Sequence, residues 1–82
     1  MLVTAVESTT LTIVAYDAAY RMLWLQFRSG AVYRYFGVPP TVHQALMAAT
    51  SKGAYFNHHI RGHFSYQREP NGLPTLLSPA VG

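Results

Sequence analysis

The chain has 82 residues, 50% hydrophobic and 11% charged, which bounds it to one small domain with a packed core and excludes a disordered polyelectrolyte. It has no cysteine, which excludes disulfide staples, thiol catalysis and thiolate metal sites. Six Lys/Arg against three Asp/Glu leave a formal charge of +3, a mild basic bias that admits nucleic acid as a partner without forming a dense positive patch.

No apolar run approaches the ~18 residues of a membrane span. The opening MLVTAVESTT has neither a basic n-region nor a long apolar stretch, so it does not read as a signal peptide. A cytoplasmic location is the expectation.

In chain order, residues 1–8 are expected to begin loosely. Residues 10–16, TLTIVAY, alternate and are rich in β-formers, which predicts a first strand. The Asp17-Ala18-Ala19-Tyr20 segment reads as a turn with Asp17 as its side-chain cap. The stretch that organises the rest is 21–36, RMLWLQFRSGAVYRYF, a β-hairpin about Ser29-Gly30. Leu23, Leu25 and Phe27 share one face; Met22, Trp24, Gln26 and Arg28 share the other.

Two registers compete at this turn. A strict two-residue loop pairs Leu25 with Arg34 and buries a guanidinium in an apolar face, at a cost of several kcal/mol. A bulged turn with Gly30 left-handed pairs Phe27 with Tyr33 and Leu25 with Tyr35, and is preferred. It sends Tyr33 and Tyr35 into the core and displays Trp24, Gln26, Arg28, Arg34 and Phe36 outside.

Gly37 and Val38-Pro39-Pro40 end the strand, and Pro40 suits the first turn of a helix over about residues 40–50. Val42, Leu46 and Ala49 recur there at helical spacing, with Ala45 beside them. Ser51 is an N-cap for a short second helix over residues 52–61 with Tyr55, Phe56, His59 and Ile60 as its apolar stripe and Gly62 as its stop. Residues 63–66 add a brief extended piece. The remainder, 67–82, is rich in proline and glycine and is expected to be a mostly disordered tail with an apolar island at Leu76-Leu77, whose Leu73, Leu76 and Leu77 offer a docking segment for a partner or for the outer face of the same molecule. The expected fold is α+β: a three-stranded antiparallel β-meander followed by one helix and a short second helix packed on one face.

The ordered series YD at 16–17, L-x-L-x-F at 23–27, SG at 29–30, YRY at 33–35, VP at 38–39 and S-K-G-x-Y-F-N-x-x-I-R at 51–61 resembles the KTSC domain. That family takes its name from the C-terminus of some lysyl-tRNA synthetases and also occurs as stand-alone bacterial and phage proteins. The resemblance covers residues 8–66. It identifies Tyr33 and Tyr35 with the family's central Tyr-x-Tyr, a motif read here as structural, and implies RNA binding as a role.

The residues themselves offer a basic-aromatic surface. Trp24, Arg28, Arg34, Lys52 and Arg61 are the candidate nucleic-acid-binding residues, since aromatic rings stack bases and cations neutralise phosphates. RNA or tRNA is the first expected partner. The alternative is a protein-interaction module, self-associating or phage-encoded, that uses a Trp24/Phe36 patch rimmed by Arg28 and Arg34 or an open strand edge. A remote alternative is a metal-independent ribonuclease using His58, Arg61 and His63. His59 and His63 stand four apart, but no third ligand completes a metal site. Only Glu7, Asp17 and Glu69 are acidic, which leaves no carboxylate pair for acid-base or two-metal chemistry. No cofactor, metal or enzymatic activity is expected.

Overall fold

Strand-forming residues occur at both ends of the central hairpin, and the chain uses all of them. The computed structural model describes residues 1–74. It contains a five-stranded antiparallel sheet in simple sequence order: β1 (Leu2–Ala5), β2 (Leu11–Asp17), β3 (Met22–Phe27), β4 (Val32–Tyr35) and β5 (Tyr66–Arg68). Between β4 and β5 lie α1 (Pro40–Ala48) and α2 (Lys52–Tyr55), which runs into a π-helical turn over Phe56–Ile60. The α+β meander is therefore as expected, but it has five strands where three were predicted. The two added strands are β1, where a loose start was expected, and β5, which begins at the predicted extended piece and enters the predicted tail. A short outer strand needs only a neighbouring ladder to pair with, so its own composition signals it weakly. Leu76 and Leu77 lie outside the described residues.

The local signals for turns and caps are realised. Asp17 Oδ1 accepts from the backbone N–H of Ala19 at 3.0 Å. Ser51 caps α2 by accepting from the Ala54 N–H at 3.2 Å. Pro40 occupies the first turn of α1. Gly62, at φ 78, follows the end of the π turn in the left-handed conformation that terminates helices.

The hairpin turn is of the preferred bulged kind, but its register is neither of the two considered. The Gly30 N–H donates to Phe27 O and the Phe27 N–H to Ala31 O, both at 2.9 Å, enclosing a three-residue loop with Gly30 at φ 92. Leu25 consequently pairs with Tyr33 and Leu23 with Tyr35. The shift from the expected pairing is two residues, so every side chain keeps its predicted face while its neighbours change.

Two rows cross the inner face of the sheet: Thr4, Val14, Leu25, Tyr33 and Arg68, and Leu2, Tyr16, Leu23, Tyr35 and Tyr66. Their centre packs with Val38, Leu46, Phe56 and Ile60 into the main core. A bulge at Thr12 turns Leu11 into this core as well. On the opposite face Ala15, Trp24 and Val32 form a smaller cluster, against which Met22 and Leu73 pack.

Trp24 was expected on an exposed outer surface; it is 5% exposed. The segment after β5 lays Leu73 against it. Burying an indole removes about 200 Å² from water, worth at most ~5 kcal/mol, so a chain with enough length to cover it does so. His59, expected on the apolar stripe of α2, is exposed and stacks on Tyr55 at 4.6 Å. The π turn rotates it outward: Arg61 N–H donates to Phe56 O, five residues back, at 2.8 Å, while Phe56 and Ile60 keep the core side.

Candidate nucleic-acid interface

At one margin of the inner face the helices stop short of β5, and an aromatic cleft opens. Its lining is Phe27, Tyr33, Tyr35, Phe56, Arg61, Gly62 and Tyr66, around a cavity of about 260 Å³. The rings form a connected set. Phe27 meets Tyr33 edge-on at 5.8 Å and Phe56 at 5.2 Å. Tyr66 stands 5.8 Å from Tyr33 and 5.9 Å from Tyr35. Tyr35 is buried, Tyr33 is half-buried, and Tyr66 is 63% exposed, so the cleft grades from a fixed floor to an open wall.

Burial pushes the Tyr35 phenol up to about 12; the neighbouring Tyr33 and Tyr66 phenols add to this, and the Arg61 cation opposes it. A phenol held neutral is a hydrogen-bond donor, and Arg61 beside it is a permanent cation. Among the described residues no protein acceptor engages the Tyr33, Tyr35 or Tyr66 hydroxyls. Donors, one cation and ring faces together suit an anionic, planar ligand.

The five residues expected to form one nucleic-acid surface are not brought together. Arg61 is exposed and lines the cleft. Trp24 is buried on the other face. Arg34, also on that face, is paired with Glu69 (Nε to Oε1 at 2.9 Å) and lies 4.9 Å over the Phe36 ring. Arg28 sits at the hairpin loop and donates to Ser8 O at 2.7 Å. Lys52 donates through Nζ to Met47 O and Ala49 O, each at 3.2 Å, and so closes the C-terminal carbonyls of α1. It borders a separate polar cavity with Glu7, Ser8, Thr9, Thr50 and Ser51.

Tyr33 and Tyr35 do more than the structural role expected of them. They pack against the core and also border the cleft. The bulged turn does not send both away from solvent, because the inner face is uncovered at β5. His58, His59 and His63 are all exposed, and among the described residues no group of three or more His, Cys, Asp or Glu side chains could hold a metal ion. Arg68 counts among the basic tips that the sequence offers beside Lys52 and Arg61, whereas Tyr66, which lines the cleft, is not singled out there. Register is what reveals them: Tyr66 lies opposite Tyr35 and Arg68 opposite Tyr33, and directly opposed residues share a face.

His43 was also not singled out. It is buried on α1, stacked flat on Tyr16 with ring centroids 4.5 Å apart. Burial holds its imidazole below the ordinary histidine pKa. It lies away from the cleft and supports the core.

The comparisons with known proteins agree with this architecture. The family model of the KTSC domain matches residues 7–64. A KTSC domain protein from Yersinia pestis has a crystal structure that superposes with a TM-score of 0.80 at 38% identity, covering 83% of this chain and 96% of that one. An uncharacterized protein of Stutzerimonas stutzeri is 43% identical over 65 residues, spanning 78% of this chain and 92% of that protein. A lysine–tRNA ligase of Nostoc punctiforme is 39% identical over 62 residues, 76% of this chain but only 11% of the ligase. The chain belongs to the KTSC domain family. Among the described residues, no helix is long and apolar enough to cross a membrane.

Proposed function

We propose that this domain is a small non-enzymatic recognition module that binds single-stranded RNA in the cleft of Tyr33, Tyr35 and Arg61. The observation that carries the reading is the juxtaposition of the half-buried Tyr33 ring, the Tyr35 ring at the cleft floor and an exposed guanidinium around one cavity. Rings stack bases without regard to sequence, and the guanidinium takes a phosphate. The related segment within a lysine–tRNA ligase makes tRNA the natural long ligand to test.

The test is an NMR titration of labelled protein with a short oligouridylate and with tRNA. Two or three phosphate contacts give a salt slope of about −1.4 to −2.1, or roughly 7- to 20-fold weaker binding between 50 and 200 mM salt. Shifts should gather on Tyr33, Tyr35, Arg61 and Gly62. An unchanged spectrum at low salt would refute the reading.

A protein-interaction module is the second reading. It is favoured by β1, an outer strand paired on one side only, whose Leu2 and Val3 are 56% and 41% exposed next to a 62% exposed Met1. Concentration-dependent association without RNA binding would select it.

A further inference from the structure

The family match ends at residue 64, yet one wall of the cleft comes from beyond it, on β5. Tyr66 supplies the exposed ring of the cleft. Arg68 is two residues further along β5, on the same face, opposite Tyr33. Two residues of strand advance about 6.7 Å, so Arg68 stands beside Tyr33, while Arg61 is the cation that acts on the Tyr35 phenol; the two arginines attend different tyrosines of the cluster.

The position of β5 is maintained from the other face. Arg34 pairs with Glu69 across the β4–β5 junction, with side chains 27% and 19% exposed. The Glu69 N–H donates to Val32 O at 2.8 Å. The turn Glu69-Pro70-Asn71-Gly72 then closes through Gly72 N–H to Glu69 O at 3.1 Å and returns the chain so that Leu73 packs on the Trp24 cluster.

We infer that β5 is part of the RNA site, with Tyr66 as the outer stacking wall, Arg68 as the second phosphate anchor, and the Arg34–Glu69 pair as the device that positions both. The cleft then takes an internal nucleotide, base against Tyr66 and a phosphate toward each arginine. This rests on the RNA reading above and adds the bound unit: a nucleotide with phosphates on both sides, in preference to a free mononucleotide. Arg34 and Glu69 are positioning residues that do not touch the ligand.

The experiment compares oligouridylate and uridine monophosphate on the whole chain and four variants. The wild type should bind the oligomer more tightly than the mononucleotide. Tyr66→Ala should weaken the oligomer by about 5- to 150-fold and leave the salt slope unchanged. Arg68→Ala should reduce the slope by about 0.7, which loss of a structural contact would not do. Glu69→Arg should weaken binding and red-shift the emission of Trp24, the only tryptophan, as Leu73 lifts away. Arg34→Glu combined with Glu69→Arg should restore both. Tyr66 and Arg68 are both exposed, and unchanged Trp24 emission in Tyr66→Ala and Arg68→Ala certifies their fold.

Tight oligomer binding that survives both Tyr66→Ala and Arg68→Ala would overturn the inference while leaving the RNA reading standing. Equal affinity for monomer and oligomer would overturn the two-phosphate unit. No binding by the wild type would overturn the RNA reading and this inference together.

Discussion

Gly53→Ala should destabilise the protein, although the same change in an ordinary helix stabilises it. Gly53 is inside α2 (Lys52–Tyr55), where alanine is favoured over glycine by about 0.5–1 kcal/mol. A β-carbon there would meet the side chain of Thr10, with Thr10 Cβ at 3.0 Å and Oγ1 closer still. Rotating the threonine moves Oγ1 but not Cβ. Retreat of the backbone is also blocked, because the Thr10 N–H donates to Ser8 Oγ and Thr10 O accepts from the Arg28 N–H, each at 3.0 Å. Overpacking of this kind costs about 1–3 kcal/mol, so the steric term exceeds the propensity gain and leaves about 1 kcal/mol of net loss. For a domain of this size that is a fall in Tm of about 4–8 °C per kcal/mol. Thermal unfolding of Gly53→Ala, Thr10→Ala and the double variant measures it; the double variant should recover part of the loss, since Oγ1 is gone but Cβ remains. A Gly53→Ala protein as stable as the wild type, or more so, would refute the close-approach argument for the Ser-Lys-Gly motif.

Tyr16→Phe should cost about 1–3 kcal/mol in denaturant unfolding, because it strands the buried Val38 carbonyl that accepts from the Tyr16 hydroxyl at 2.6 Å. The ring and its stack on His43 survive the change, so the loss reports the hydroxyl alone. Stability should fall as pH drops below the ordinary histidine pKa of about 6.5, since His43 is held lower in the folded state and the unfolded chain therefore takes the proton more readily. The contribution is fully present above that pH, and His43→Phe should flatten the loss between neutral and mildly acidic pH in a Tm series. Gly30→Ala should cost about 1–2 kcal/mol, the strain of a β-carbon in the left-handed region at φ 92, and a variant of unchanged Tm would refute the bulged turn.

Face patterning, turn chemistry and caps were legible from the residues alone, because each depends on neighbours a few positions away. The alternation of Leu23, Leu25 and Phe27, the Asp17 turn, the Ser51 cap and the Gly62 stop all follow from local sterics and hydrogen bonding. The family motifs were legible for a related reason, since S-K-G and Y-x-Y mark places where backbone approach and face are constrained.

The site was only half legible. Arg61, Tyr33 and Tyr35 were named from the sequence, but for different purposes, and nothing local says that they border one cleft. Arg34 and Lys52 look like free cations in a list of residues; their partners, Glu69 and the α1 carbonyls, are distant or depend on where a helix ends. The π turn that carries Arg61 to the cleft has no periodic signature in five residues.

What the amino-acid order determined by itself was therefore the class of fold and the face on which each hairpin residue lies, for a period of two leaves little choice once one face is apolar. Tertiary structure alone decided the register, the two outer strands, the burial of Trp24 and the opening at β5. Each of these is a long-range contact between weak local formers, and it becomes favourable only when the rest of the sheet is already in place.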